Sequence, residues 1–70
     1  MNLSDMNIIV TGASSGIGKL LSSTLSEFNA HVIGVYNKHK VKDDRIDYIK
    51  CDISKEKDIN NLYNYVIKKY

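Results

Sequence analysis

Thr11-Gly12-Ala13-Ser14-Ser15-Gly16-Ile17-Gly18 is the stretch that decides the fold of this chain. It follows an apolar run, Ile8-Ile9-Val10, and it opens an amphipathic segment that begins at Ile17. A strand, a glycine-rich turn and a helix N-terminus in this order form a site for an anionic group, because glycines let a ligand approach the main chain closely. The free N–H groups and the positive end of the helix dipole favour a phosphate there. The stretch therefore predicts a nucleotide-binding turn.

Short apolar runs around this turn predict three strands. They cover 7–10, 31–36 and 46–51, and the first is apolar on both faces, as expected for a parallel sheet that is covered on both sides. A helix between the first two strands implies that these strands are parallel, with a right-handed crossover. The polar connection 37–45 has no helical period, so we expect part of one sheet face to be poorly covered.

Two longer segments repeat apolar residues with the period of a helix. Each places them at offsets of 0, 3, 4, 7, 8 and 11 residues, and a threonine completes the first stripe. The stripes are Ile17, Leu20, Leu21, Thr24, Leu25 and Phe28, and then Ile59, Leu62, Tyr63, Val66, Ile67 and Tyr70. We expect both stripes to face the core. We also expect Asn29 to end the first helix in the left-handed conformation and Ser54 to cap the second.

Length and composition restrict the function classes. Seventy residues form one domain at most, and 10 basic against 8 acidic residues give a net charge of +2, too mild to imply binding to nucleic acid or a membrane. Cys51 is the only cysteine, which excludes an internal disulfide, and the first residues resemble no signal peptide. His31 and His39 have no companions at metal-ligand spacing. We predict a cytoplasmic protein without a metal site.

Two other motifs overlap the glycine turn and fit it less well. The phosphate loop of nucleotide triphosphatases needs two glycines separated by four residues, but Gly12 lies one residue too far from Gly18, and Leu20 replaces the magnesium-binding hydroxyl. The nucleophile elbow, Gly-x-Ser-x-Gly, matches Gly12 to Gly16 literally. However, the match follows the first strand, has an additional glycine, and is followed by no His and acid in plausible partner positions.

The spacing Thr11-Gly12-x-x-x-Gly16-Ile17-Gly18 resembles the cofactor-binding turn of the short-chain dehydrogenase/reductase family. Cys51-Asp52-Ile53-Ser54 resembles the family's Asp-plus-aliphatic signature after strand three, and Ile67-Lys68-Lys69-Tyr70 resembles the end of the helix before strand four. The resemblance covers essentially the whole chain. It implies an α/β fold, the N-terminal part of a Rossmann-type doubly wound parallel sheet with three strands and two helices in the order βα-β-β-α. Residues 1–70 would then be a partial NAD(P)-binding domain that stops before strand four.

By this resemblance, the glycine turn and the ends of strands two and three bind the cofactor. The glycines would allow close approach of the pyrophosphate, and the two serines would line the adenosine-ribose side. Ile17 would offer its N–H to the pyrophosphate and its side chain to packing, and Asp52 would accept a hydrogen bond from the adenine amine. The implied cofactor-binding residues are Gly12, Ser14, Ser15, Gly16, Ile17, Gly18, Tyr36, Asn37, Lys38, Asp52 and Ile53.

Cofactor choice depends on the end of strand two. An Asp is usual there in NAD enzymes, because it accepts hydrogen bonds from the ribose hydroxyls. Here the position is Tyr36, and the first acid after the strand is Asp43. Lys38 and Lys40 could attract a 2′-phosphate, although Ser15 stands where many NADP-using relatives carry Arg, and a solvated loop explains the lysines equally well. We expect NADP in preference to NAD.

The family transfers hydride between NAD(P) and a carbonyl or alcohol, using a Tyr as acid/base and a Lys four residues later. Tyr65 and Lys69 match that spacing, but they lie off the apolar stripe of the second helix, where we expect a solvent-facing i,i+4 pair without function. We therefore expect this segment to lack catalysis and the intact enzyme to be a homo-oligomer, a dimer or tetramer. The alternative is a non-catalytic nucleotide-binding or interaction module that pairs through its open strand edge.

Overall fold

The computed structural model describes residues 2–39 and 41–70, which form one parallel sheet with a helix on each face. The described elements are β1 (Asn7–Thr11), α1 (Gly16–Glu27), β2 (His31–Tyr36), β3 (Ile46–Lys50) and α2 (Glu56–Lys69). β2 has the predicted bounds, β1 ends one residue later and β3 one residue earlier than predicted, and the α/β class with the order βα-β-β-α is confirmed. The described parts of the polar connection, 37–39 and 41–45, contain no helix.

The described strands pair in the order β1-β2-β3, and both neighbouring pairs are parallel. In the register, Val10 pairs with Gly34, and Gly34 pairs with Tyr48. Because the strands run in the same direction, their carboxyl ends meet at one edge of the sheet, which is where ligands bind in open α/β sheets. The glycine-rich turn leaves β1 at that edge.

A buried cluster lies between the sheet and α1, and Ile33 and Val35 are buried on the opposite face of β2. The buried members of the cluster are Val10, Ala13, Ala30, Val32 and Ile46, with Leu25 of α1 packed against them. Ser22 of α1 is completely buried, whereas Ile17 and Leu20 are 84% and 69% exposed. The prediction that the whole apolar stripe of α1 faces the core is therefore wrong.

The rotation of α1 is set by its first turn rather than by its apolar residues. Gly18, Ser22 and Leu25 are four and three residues apart, so they share one face of the helix. This face meets the sheet because Gly18 lies directly against the main chain of Gly12. Close approach at the glycine thus fixes which residues are buried, and it leaves most of the larger apolar side chains outside.

The flank of α1 turned toward β1 carries Leu21 and Phe28 of the exposed stripe. The other flank carries Ser23, whose Oγ accepts a hydrogen bond from Arg45 Nη2 at 3.3 Å beside the start of β3. At 3.6 residues per turn, Leu21 and Phe28 fall on roughly the opposite side of the helix from Ser23. β1 is an edge strand, and its Ile9 is 46% exposed. Ile8 and Val10 pack in the core beneath α1, so the Ile9 side chain between them points to the opposite face of the sheet, and Ile9 and the exposed flank of α1 are separate surfaces.

Helix α2 covers the face of the sheet opposite α1. Ile46 and Tyr48 of β3 belong to the core beneath α1, so Asp47 between them points to the other face. The side chains of Tyr65 and Lys69 in α2 reach Asp47 on that face. The sheet is thus covered on both sides at β2 and β3, but Ile9 of β1 is 46% exposed, so the two-sided cover predicted from the apolar character of β1 does not extend to that strand.

Two predictions for α2 are wrong. Tyr63 and Tyr70 were expected to face the core but are 63% and 41% exposed, and the Tyr70 hydroxyl instead bonds to a carboxylate of β3. The residue before the first turn is Lys55 in extended conformation, not Ser54. Ser54 does not cap the helix because its N–H and hydroxyl both donate to Asp52 Oδ1.

The end of α1 follows the prediction. Asn29 has a φ of 71°, which confirms the left-handed conformation expected after the helix. The N–H of Leu3 donates to the Phe28 oxygen at 2.7 Å, so the segment that precedes β1 is attached to this same end of α1. Within the described residues, neither helix has the length and apolar content that crossing a bilayer requires.

Candidate functional site

The glycine-rich turn adopts a conformation that requires glycine at two of its positions. Gly12 and Gly16 have φ values of 64° and 54°, in the left-handed region that other residues rarely adopt. A Cβ built on either glycine would meet none of the described atoms within 4 Å. These two positions therefore demand glycine for backbone reasons, and the space beside them is open to a ligand.

Gly18 requires glycine for a different reason, namely contact. A Cβ at this position would lie 2.7 Å from the Gly12 carbonyl carbon, closer still to the Gly12 oxygen, and 3.2 Å from the Thr11 oxygen. Helix α1 therefore starts in direct contact with the end of β1. The buried Ser22 hydroxyl donates to the Gly18 oxygen at 2.8 Å and strengthens this first turn.

Ala13 attaches the turn to β2, which the sequence did not reveal. Its N–H donates to the Val35 oxygen at 3.0 Å, and its side chain is completely buried. A Cβ on Gly34 would come within 3.0 Å of the Ala13 Cβ. Small residues at both positions therefore let the turn pack closely against β2. This contact between Ala13 and Gly34 is not visible in the sequence alone.

The N-terminus of α1 presents unpaired donors at the carboxyl edge of the sheet. The first helical hydrogen bond runs from the Lys19 N–H to the Ser15 oxygen at 3.3 Å, so the N–H groups of Gly16, Ile17 and Gly18 have no acceptor inside the helix. Ser15 is extended, and its hydroxyl does not cap the described helix. No acid lies in this turn to compete with a bound anion. These groups fit a phosphate or pyrophosphate.

A cavity of about 250 Å³ lies where the three strands end. It is mainly apolar and is lined by Thr11, Gly12, Val35, Tyr36, Asn37, Cys51 and Ile53. Four of the predicted cofactor-binding residues are thus brought together here. Cys51 is buried as expected, and this burial, together with the nearby charges of Asp58 and Asp52, raises the pKa of its thiol.

The predicted residues outside the cavity wall lie around it. Ser14 is half-buried, Ser15 and Gly16 are exposed in the turn, and Lys38 is exposed just after β2. The Ile17 side chain is exposed, so its expected contribution to packing is wrong, because the helix buries the face that contains Gly18 instead.

The end of β2 carries no carboxylate in the described part of the chain. Asp43, the first acid after the strand, is bound to Arg45 with a shortest distance of 2.9 Å, and these hydrogen bonds lower the pKa of Asp43. Lys50 of β3 is the register partner of Tyr36, so a cation that sequence reasoning missed lies at this end. Lys40, which was expected to attract a 2′-phosphate, lies outside the described residues.

A second and larger cavity of about 340 Å³ lies at the opposite, amino end of the strands. Beside it, Asp47 Oδ2 accepts hydrogen bonds from Tyr65 Oη at 2.7 Å, Lys69 Nζ at 3.0 Å and Tyr70 Oη at 3.0 Å. Burial alone would raise the pKa of Asp47, but these three donors lower it overall. Hydrogen bonds to Tyr65 and Asp47 raise the pKa of Lys69.

The Tyr65–Lys69 pair is exposed, as predicted, but it is also hydrogen-bonded to the sheet, which was not predicted. Lys69 Nζ donates to Tyr65 Oη at 3.2 Å, and both groups are bound to the sheet through Asp47. The distance in sequence between Asp47 and this pair explains why periodicity did not reveal the contact. Among residues 2–39 and 41–70, no group of His, Cys, Asp and Glu side chains is arranged to hold a metal ion.

Known proteins resemble this chain over nearly its whole length. The model of the short chain dehydrogenase family matches residues 6–70. The chain is 34% identical over 73 residues to a farnesol dehydrogenase of Aedes aegypti, covering 89% of the chain and 30% of that protein. It is 34% identical over 76 residues to an NAD-dependent glycerol dehydrogenase of Listeria innocua serovar 6a, covering 99% of the chain and 30% of that protein. The chain thus spans about 30% of the length of these relatives, and it belongs to the short-chain dehydrogenase family.

Proposed function

We propose that this chain binds the adenosine and pyrophosphate parts of a nicotinamide dinucleotide, as the N-terminal segment of an enzyme that transfers hydride between NAD(P) and a carbonyl or alcohol. The observation that carries the proposal is the contact between Gly18 and Gly12. This contact brings the free N–H groups of the first turn of α1 to the carboxyl edge of the sheet, beside an apolar cavity of base size. The names of both relatives, a farnesol dehydrogenase and an NAD-dependent glycerol dehydrogenase, agree with it.

The residues divide the binding work by their chemistry. The N–H groups of Gly16, Ile17 and Gly18 donate to the pyrophosphate, and Ser14 and Ser15 lie on the ribose side of the turn. Tyr36, Asn37 and Ile53 line the cavity that receives the base. The carboxylate of Asp52, which lies in the chain between the lining residues Cys51 and Ile53, accepts the adenine amine. The bound nicotinamide ring would supply or accept the hydride, and this segment holds the other end of the molecule.

We propose that the cofactor is NADP in preference to NAD. Three features support this preference: the β2 end carries Tyr36 rather than an acid, Asp43 is occupied by Arg45, and Lys38 and Lys50 lie near the same strand ends. A carboxylate at the strand end would repel a 2′-phosphate, and lysines would attract it. The name of the Listeria relative states NAD, so the preference is a property to be measured on this chain.

Residues 1–70 form, in this proposal, part of a dinucleotide-binding domain without catalytic residues. The tyrosine and lysine with catalytic spacing, Tyr65 and Lys69, are bound to Asp47 at the amino end of the sheet, away from the strand-end cavity. The seventy-residue chain should therefore not oxidise reduced nicotinamide in the presence of a carbonyl substrate. Turnover above the background rate, followed by the absorbance of the reduced cofactor, would contradict this part of the proposal.

Cys51 provides a direct test of binding because it is the only cysteine and lines the cavity. We expect NADP to slow the alkylation of its thiol, measured by mass spectrometry, by about tenfold at a concentration ten times the dissociation constant. Free nicotinamide, which lacks the adenosine and pyrophosphate, is the control and should leave the rate unchanged. An alkylation rate that is insensitive to NADP at millimolar concentration would overturn the proposal.

A second candidate function is that of an interaction module, and the surface beside β1 favours it. Ile9 on the open strand edge is an exposed large apolar residue, and Leu20 and Leu21 of α1 are exposed on the other face of the sheet. Such an edge can pair with a strand of a second copy of the chain. We expect a stable dimer at micromolar concentration in gel filtration if this is the function, and a monomer or a poorly soluble species if the surface is covered by the rest of a longer enzyme.

A further inference from the structure

Asp58 is a charged side chain near the candidate site whose role the nucleotide-binding turn does not explain. It lies in the first turn of α2 and is half-buried. Its Oδ2 accepts the backbone N–H of Asp52 at 2.9 Å. Because Asp52 directly follows Cys51 in the cavity wall, Asp58 fixes the main chain at the point where it leaves the cavity.

Asp52 itself has one carboxylate oxygen engaged within the turn. Its Oδ1 accepts the Ser54 N–H at 3.0 Å and the Ser54 hydroxyl at 2.6 Å. These hydrogen bonds lower the pKa of Asp52, so the carboxylate is ionised at neutral pH. In the described part of the chain, no donor reaches Oδ2. The second oxygen is therefore available to a ligand.

We propose that Asp58 is a positioning residue, which holds Asp52 so that its Oδ2 accepts the exocyclic amine of adenine and the site selects adenine over purines without that amine. This inference rests on the proposed dinucleotide site. The hydrogen bond from the Asp52 N–H to Asp58 links the segment after β3 to the first turn of α2. It fixes the main chain at Asp52, from which the Asp52 side chain extends and which leads directly into Ile53, whose exposed side chain lines the cavity.

The chemistry of the bond separates the effects of charge and position. Asparagine at position 58 keeps an oxygen acceptor at the same distance from the backbone but removes the charge. Glutamate keeps the charge but moves the acceptor by one methylene. A positioning role therefore predicts that Asp58→Asn is tolerated and that Asp58→Glu is not. Glu56 lies in the same turn, and Asp58 rather than Glu56 accepts the Asp52 N–H, so Glu56→Gln is the matched control.

The test is the binding of ADP and IDP, which differ at the amine, to the ¹⁵N-labelled seventy-residue chain, followed by amide chemical shifts. We expect the wild-type chain to bind ADP about fivefold more tightly than IDP, since one hydrogen bond distinguishes them. The ratio should be kept in Asp58→Asn and Glu56→Gln and should fall to about one to two in Asp58→Glu. The same spectra report whether each variant is folded. If Asp58→Glu does not fold, Asp58→Ala takes its place, with the same expected loss of the preference for ADP.

The outcomes separate this inference from the proposed function. If the wild-type chain binds neither nucleotide, both are overturned. If it binds ADP and IDP equally, or if Asp58→Glu and Asp58→Ala keep the wild-type ratio while folded, the dinucleotide site stands and the role of Asp58 is overturned. A merely structural role would lower the affinity for both nucleotides equally and leave their ratio unchanged, which also overturns it.

Discussion

At the carboxyl end of the sheet, the cavity is lined by glycine, apolar side chains and main-chain groups, whereas at the amino end it is lined largely by charged and polar side chains. The amino-end cavity is the larger of the two, about 340 Å³ against about 250 Å³, and it adjoins a tyrosine and a lysine with catalytic spacing. Yet the lysine and the arginine in its lining are each paired with a carboxylate. Lys69 is bound to Asp47, and Arg45 is bound to Asp43.

The difference teaches that unsatisfied groups, rather than charged ones, identify the candidate site. Each donor around Asp47 Oδ2 has its acceptor, so the cluster attaches α2 to the sheet and leaves no strong demand for a ligand. At the other end, the first N–H groups of α1 and Asp52 Oδ2 lack partners in the described chain. The following predictions test this division between an attachment end and a binding end.

Gly18→Ala should have the largest effect, because it places a methyl group into the Gly12 carbonyl at the binding end. We expect a loss of about 3 kcal/mol or more in the free energy of unfolding, measured by urea denaturation, which is enough to unfold a chain of this size. Ser15→Ala is the control, since this exposed hydroxyl caps no described N–H group, and it should change stability by less than about 0.5 kcal/mol. Equal stability of the two variants would refute the close approach.

Asp47→Ala should damage the attachment end alone. Removing the common acceptor of three donors should lower the free energy of unfolding by about 1–2 kcal/mol, because the pairs are partly exposed. Nucleotide affinity of the folded variant should remain within about twofold of wild type. Asp44→Ala, in the wall of the same cavity, is the control for general charge effects. A large loss of nucleotide affinity in Asp47→Ala would place the binding site at the wrong end.

The pH dependence of stability sharpens the role of Asp47. Its pKa is lowered in the folded chain, so its contribution is complete above the unfolded pKa of about 4 and is lost as the pH falls through the folded value. The difference in unfolding free energy between wild type and Asp47→Asn, about 1 kcal/mol at pH 7, should therefore shrink as the pH falls below about 4 and vanish once the pH lies below the folded-state pKa of Asp47. Chemical denaturation at several pH values measures it, and a difference that grows in acid would show that the carboxylate is not stabilised as described.

Lys50→Ala and Lys38→Ala should have the smallest effects, and only on the binding end. Each should weaken the binding of NADP by about two- to fivefold relative to the binding of NAD at low salt, because the attraction between an exposed lysine and a phosphate is modest. Lys42→Ala, in the polar connection, is the matched control. Competition between NADP and NAD for protection of the Cys51 thiol from alkylation gives the ratio of their dissociation constants. If none of these lysines changes the ratio, the preference for NADP has no basis at the strand ends.

The turn was predictable because its requirements are local. The spacing of Gly12, Gly16 and Gly18 reflects two positive φ values and one contact, and the three short apolar runs gave the parallel strands. The left-handed conformation of Asn29 at the end of α1 was equally predictable from the sequence. These features depend on backbone conformation within a few residues.

The rest depends on contacts between distant segments, which one sequence does not show. The apolar stripe of α1 predicted the wrong buried face, because the contact at Gly18 turns Ser22 inward. The hydrogen bond from Tyr65 to the sheet was not predictable, because its partner Asp47 lies on another element. Likewise, the bond from the Asp52 N–H to Asp58 was not predicted.

The most direct measurement of the proposed division is a titration of the ¹⁵N-labelled chain with NADP, followed by the amide shifts at both ends of the sheet. We predict that the shifts concentrate in Gly12 to Lys19, around Tyr36 and Asn37, and in Cys51 to Ser54, while His31, Asp47 and Lys69 remain unchanged. Shifts that concentrate at the amino end, or no shifts at millimolar NADP, would contradict the assignment of the binding site to the glycine-rich turn.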